Sequence, residues 1–272
     1  MKRAAVMIWI TNIVLAIAVA GLWWKHLRQQ DADSWGEGVP YSVQQIYEQL
    51  RTAKVYHGNP TRKWIALTFD DGPHPYHTPI LLKTLRRLKV RATFFVVGKN
   101  VDRYPRLVRQ MLKAGHEVEN HTYNHLRLSS LPLGLVQEEI EAGAAAIWRA
   151  TGRVPRFVRP PGGMINHWVR QVAQFDGYVT VMWTADPADY ERPDVQTLKQ
   201  RLFASLRPGS IILLHEKVPQ TVEALPEFVQ EARRQGYEFV TIEEMWEDMQ
   251  RSVLRMASYK RGGLPSPFFG GS

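Results

Sequence analysis

Between residues 64 and 241 the chain alternates short apolar runs with amphipathic stretches at helical spacing, and no other feature narrows its fold as far. Apolar, strand-like runs are expected at 64–69, 92–97, 116–119, 157–159, 178–183, 210–214 and 237–241. Helical patterns fall between them at 78–88, 101–114, 133–151, 165–175, 195–206 and 221–235, with a last one near 243–259. Strands that alternate with helices pair in parallel through crossovers, so the choices are a barrel or a doubly wound sheet. In either, the ends of the strands share one face, and active sites are built there.

The residues that follow the expected strands are the ones that carry chemistry. Asp70 and Asp71 follow the first, His121 and His125 the third, Arg159 the fourth, Asp186 the fifth and His215 the sixth. Each has an ordinary reading taken alone. Asp70-Asp-Gly-Pro73 can be a solvated turn, and side chains that alternate along an extended strand should point Asp70 and Asp71 in different directions. His121 and His125 are spaced to lie on one side of a helical turn, as many surface histidines are. Together, Asp71, His121 and His125 have the ligand types of a catalytic divalent metal with open coordination positions. Zinc is the first expectation, with cobalt, nickel, iron and manganese left open by the donor types.

Thr68-Phe-Asp-Asp-Gly-Pro73, His121-x-x-x-His125, Arg159-Pro-Pro161, Asp186-x-x-Asp189 and Leu213-Leu-His215 occur in one order. In that order and approximate spacing the chain resembles the NodB-type polysaccharide deacetylases, carbohydrate esterase family 4, over roughly residues 60–245. The resemblance implies a distorted (β/α) barrel that removes acetyl groups, with a divalent metal, from N-acetylated sugars such as those of peptidoglycan or chitin-like oligomers. It implies Asp71, His121 and His125 as metal ligands, Asp70 as general base paired with Arg159, and His215 as general acid oriented and charged by Asp186. Gly162, whose N–H is the first after two prolines, would serve the oxyanion, and Tyr190 and Leu213 would line the substrate cleft. Asp189 is read as structural, capping the next turn. The chain departs from the family pattern at three places: Gly162-Gly163 stands where an aromatic residue often follows the prolines, Tyr190 where tryptophan is typical, and Glu119 where glycine is common. An O-acetyl esterase on xylan-type polysaccharide and a non-catalytic wall-binding module with the same fold are the alternatives.

The ends of the chain differ from its body. The formal charge is +9, but Lys2, Arg3, Lys25 and Arg28 near one end and Arg251, Arg255, Lys260 and Arg261 near the other face no acid in their segments. The body between is close to neutral, so no nucleic-acid face is expected. Residues 4–24 hold no ionisable group and are long enough to cross a bilayer, with Trp23 and Trp24 at an interface. This predicts an N-terminal transmembrane helix, a membrane partner and a membrane-anchored domain held extracytoplasmically. Ala18-Val-Ala20 leaves a cleaved signal peptide, and so a secreted enzyme, as the competing reading. The expected organisation is a membrane anchor at 1–28, a stalk at 29–60, the deacetylase domain at 61–250 and a basic extension at 251–272. Cysteine is absent, which excludes disulfides and thiolate ligands and selects no compartment.

Overall fold

The computed structural model describes residues 46, 48–50 and 52–261. The chain divides into Met1–Gln44, which lies outside the described residues, and Gln45–Ser272, to which everything below refers. The strands are β1 (Lys54–Val55), β2 (Trp64–Gly72), β3 (Thr93–Val96), β4 (Glu117–Asn120), β5 (Phe157–Val158), β6 (Val179–Val181), β7 (Ser210–His215) and β8 (Glu238–Phe239). They form one sheet in the order β1-β6-β5-β4-β3-β2-β7, with β8 also beside β2, and the paired strands are parallel. The segment after β6 reaches β7: Thr184 N donates to Ile211 O and Leu213 N donates to Ala185 O, each at 3.0 Å. The sheet thus curls toward closure, and the result is a distorted (β/α) half-barrel.

The crossovers are α1 (His77–Leu88), α2 (Gly98–Arg103), α3 (Pro105–Lys113), α4 (Leu133–Thr151), α5 (His167–Phe175), α6 (Val195–Ala204) and α7 (Pro219–Arg234), with α8 (Ile242–Arg261) at the end. The single helix expected at 101–114 is two, α2 and α3. Pro105 offers no N–H and disfavours helical backbone at Tyr104, so it opens a new helix as its first residue. The stalk expected at 29–60 also ends early. Lys54 and Val55 pair with Thr180 and Val181, and Ile46 and Val55 are buried in the core. A two-residue strand is too short to show a period, so nothing in the sequence marks it.

Alternation along the strands sorts the core into two faces. Leu67, Phe69, Phe94, Val96, Ile212 and Leu214 pack toward the helices, against Leu81 and Leu85 of α1 and Leu225 and Phe228 of α7. Ala66, Phe95, Phe157, Val181 and Ile211 face the barrel interior, with Met245, Trp246 and Met249 of α8 among them. α8 enters at the N-terminal ends of the strands, where Ile242 N donates to Thr93 Oγ1 at 3.0 Å and to Glu117 Oε2 at 3.0 Å. Toward the other end the interior positions turn polar: Thr68 and Asp70 on β2, Arg159 after β5 and His215 on β7. Asp70 stands directly opposite His215 in the ladder.

The transmembrane helix expected over residues 4–24 lies outside the described residues, and among the described residues no helix is long and apolar enough to cross a membrane. The fold of the described residues is therefore corrected to the half-barrel, with no transmembrane element among them. The membrane partner and the anchored, extracytoplasmic location read from that segment have no support in the structure and are dropped with it. Of the basic extension expected at 251–272, the part up to Arg261 continues α8, and 262–272 are outside the described residues.

Candidate active site

β2 does not run straight to its end. Its register with β3 shifts between Asp70 and Gly72, and Asp71 has φ +74, a left-handed backbone uncommon outside glycine, though less so for aspartate than for most residues. The bulge undoes the alternation that would have sent the two carboxylates apart. His121 Nε2 lies 3.6 Å from Asp70 Oδ2 and 3.8 Å from Asp71 Oδ1. His125 Nε2 lies 3.0 Å from Asp71 Oδ1. His125 (φ +62) and Thr122 (φ +65) are also left-handed, so the histidine pair sits on an irregular loop after β4, not on a helical turn.

Asp71, His121 and His125 form a divalent-metal-binding cluster, with one ligand atom from each all within 4.8 Å of one another. The protonation of His121 fits that role. Its Nδ1 is 2.6 Å from the Arg159 carbonyl oxygen, which can only accept, so Nδ1 carries the proton and Nε2 presents its lone pair to the cluster. Burial lowers the His121 pKa, although Asp70 and Asp71 pull the other way. Burial pushes Asp71 up, but the His125 hydrogen bond and nearby positive charge, that of Lys217 included, outweigh it and hold the carboxyl well below the usual range.

Arg159 is fully buried, and each of its three nitrogens donates. Nη1 donates to Asp70 Oδ1 at 2.8 Å and Thr68 Oγ1 at 2.7 Å, Nη2 to Met182 O at 3.0 Å, and Nε to Val181 O at 3.3 Å. Its guanidinium lies 4.1 Å from the Phe95 ring centroid. Asp70 therefore has one oxygen fixed by Arg159 and the other turned to the cluster.

The partner of His215 differs from the expectation. His215 Nδ1 is 2.7 Å from Asp189 Oδ1, and Asp189 Oδ2 accepts from His215 N at 2.9 Å and from Thr221 Oγ1 at 2.7 Å. Asp189 is completely buried. Asp186 is exposed and accepts from Ala188 N at 2.8 Å, so it caps the turn, the task expected of Asp189. Burial lowers the His215 pKa, but the hydrogen bond and charge of Asp189 outweigh it, and the net shift is upward. Tyr190, 54% exposed, stands edge-on to His215 with ring centroids 5.6 Å apart. Leu213 is buried on the same face of β7 as His215, and Gly162 is exposed in the turn 161–163 just beyond Arg159. Glu119 is not at the metal cluster: its Oε2 accepts from Arg156 N at 2.9 Å and Phe157 N at 2.7 Å, at the start of β5. Thr68, Asp189 and Thr221 are the residues that sequence reasoning missed or misassigned. Thr68 and Asp189 left a signal, as the first residue of the Thr68–Pro73 motif and the second acid of the Asp186-x-x-Asp189 motif, and Thr221 left none.

A two-histidine, one-aspartate cluster beside an arginine-held carboxylate, with an imidazole held by a buried aspartate opposite, at the C-terminal mouth of a (β/α) half-barrel, defines a metal-dependent hydrolase. Residues 57–181 match the family model described as polysaccharide deacetylase. A peptidoglycan-N-acetylglucosamine deacetylase of Bacillus cereus is 42% identical over 188 residues, covering 67% of this chain and 88% of the relative. A Listeria monocytogenes peptidoglycan-N-acetylglucosamine deacetylase is 37% identical over 68% of this chain, which spans 39% of that longer protein. Among solved structures, a peptidoglycan N-acetylglucosamine deacetylase superposes with TM-score 0.71 at 29% identity, covering 77% of this chain and 98% of the other. A pseudoenzyme of carbohydrate esterase family 4 from Bacillus anthracis gives 0.68 at 30% identity, covering 71% and 68%. The chain belongs to the polysaccharide deacetylase family, the NodB-type carbohydrate esterases. It is a metal-dependent amide hydrolase that removes acetyl groups from N-acetylated polysaccharide sugars.

Proposed function

We propose that the substrate is the N-acetylglucosamine of peptidoglycan and that zinc is the metal. The relatives' own substrate supports the first, and two imidazoles with one carboxylate support the second. Asp71, His121 and His125 would hold the divalent ion, which would supply Lewis acidity toward the acetyl carbonyl and lower the pKa of a bound water.

The chain's residues divide the proton work. Asp70, with Oδ1 fixed by Arg159, accepts the proton of the attacking water on Oδ2. The N–H of Gly162 offers a donor to the developing oxyanion. His215, whose acid form is favoured by Asp189, delivers a proton to the departing sugar nitrogen. Tyr190 offers an aromatic edge beside that imidazole for the sugar ring, and Leu213 closes the wall behind the acetyl group. The observation that carries this reading is the convergence of Asp70 and Asp71 on one nitrogen of His121.

The relationship to a pseudoenzyme makes a binding-only role the competing outcome. The full chain, stripped of metal and resupplied with zinc, should release acetate from peptidoglycan and N-acetylglucosamine oligomers. Release from acetylated xylan alone would make it an O-acetyl esterase, and release from none of the three would make it a binding module.

A further inference from the structure

We propose that Glu216 is a positioning residue of this site: its buried carboxyl group is wedged against Gly72 and fixes the bulged peptide that aims Asp70 and Asp71 at His121. The inference rests on the base and ligand roles proposed above for those two aspartates.

Glu216 follows His215 at the end of β7 and is 1% exposed. It meets the bulge at two points. Its N–H donates to Asp70 O at 3.2 Å, which extends the ladder past the base. Its Oε1 lies so close to Gly72 that a Cβ there would be 1.6 Å away, so Gly72 is the residue whose missing side chain makes room for the carboxyl. The other oxygen, Oε2, accepts from Thr78 Oγ1, and Thr78 Oγ1 in turn accepts from His74 N at 2.8 Å. Glu216 thus joins the end of β7, the bulge of β2 and the loop that opens α1.

The bulge needs such support. Asp71 has a backbone that L-residues avoid, and its carbonyl and that of Gly72 are held from the far side by Asn100 Nδ2 at 3.1 Å and Val97 N at 2.8 Å. With Asn100 and Val97 on one side and Glu216 on the other, the peptide carrying the ligand aspartate is clamped. A carboxyl at this place is unfavourable by itself: Oε1 is buried with no hydrogen-bond partner, and an alkyl side chain would bury at less cost. What only the carboxyl supplies is an acceptor for Thr78 together with a flat edge against Gly72. Burial pushes its pKa up to about 8, so glutamine reproduces both its shape and its neutral form.

The test compares the full chain with Glu216→Gln, Glu216→Ala, Thr78→Val and Asp71→Asn. Zn2+ affinity is read by competition with a chromogenic chelator, kcat and KM from acetate release, and fold from thermal unfolding. In folded protein, Glu216→Ala should weaken Zn2+ binding on the order of 10-fold and lower kcat by a similar factor with KM little changed, Thr78→Val should do so in part, and Glu216→Gln should restore both. Wild-type Zn2+ affinity and kcat in folded Glu216→Ala would overturn the proposal. If that variant does not fold, wild-type values in Thr78→Val would overturn it instead. Asp71→Asn separates the two layers of the account: if it binds Zn2+ as the wild type does, the ligand assignment fails, and the inference fails with it. If Asp71→Asn loses Zn2+ while Glu216→Ala keeps it, only the role of Glu216 is lost.

Discussion

Asp189 holds His215 twice, with Oδ1 2.7 Å from the ring Nδ1 and Oδ2 accepting the main-chain N–H at 2.9 Å. An imidazole so held keeps Nε2 directed at the site and its charge stabilised. Asp189→Asn should lower kcat by about 100-fold or more, whereas Asp186→Asn should lower it far less, because the capped turn tolerates an amide. Equal losses in steady-state acetate release would return Asp186 to the catalytic set.

The same pair sets a pH dependence. The His215 pKa is raised above its ordinary value of 6.5, so the acid form persists above that pH and is lost as pH rises through the raised value. The alkaline limb of the kcat profile should therefore lie above 6.5 in the wild type and move to lower pH in Asp189→Asn. The pair's contribution to stability has the same sign, complete below 6.5 and lost as pH rises. An alkaline limb that stays in place in the variant would show that another group titrates there.

Arg159 and Asp70 form a buried pair with side-chain exposures of 0% and 5%. Removing one partner leaves the other charge unpaired, so Arg159→Ala should destabilise the fold by about 3–5 kcal/mol, read from urea unfolding. Arg159→Lys should also lose activity, since an ammonium cannot reach Asp70, Thr68 and Met182 together. Stability unchanged by Arg159→Ala would mean that the guanidinium is dispensable to the core.

A different carboxylate shapes stability at the far end of the barrel. Burial raises Glu117 to about 7, although Thr93 Oγ1 and the N-terminal N–H groups of α8 oppose the shift, and its Oε1 is buried with no partner. Because the folded state holds this proton more tightly, stability should fall as pH rises from about 4.5 through about 7 and then level. Glu117→Gln should flatten that fall and be more stable at pH 8 by on the order of 1–3 kcal/mol. Parallel pH curves for variant and wild type would exclude Glu117 as the source.

What could be read before the structure, and what could not, follows the range of the interactions. The strand and helix alternation is local, and so were the residues at the strand ends: Asp70, His121, Arg159 and His215 all fall where parity and strand ends place them. The bulge at Asp71 was not legible, because it is imposed by Asn100, Val97 and Glu216 from elements distant in sequence. The exchange of roles between Asp186 and Asp189 has a similar cause. Ala188 adopts a left-handed backbone and turns the following residue inward, and only the contact with His215 and Thr221 shows which acid is buried. β1 is held by pairing with β6, not by its own two residues.

The most direct test of the site is acetate release from peptidoglycan by the Asp70→Asn full chain, with zinc content measured on the same sample. Asp71, His121 and His125 remain intact in that variant, so it should bind zinc as the wild type does and release essentially no acetate. Wild-type release from the zinc-loaded variant would contradict Asp70 as the base.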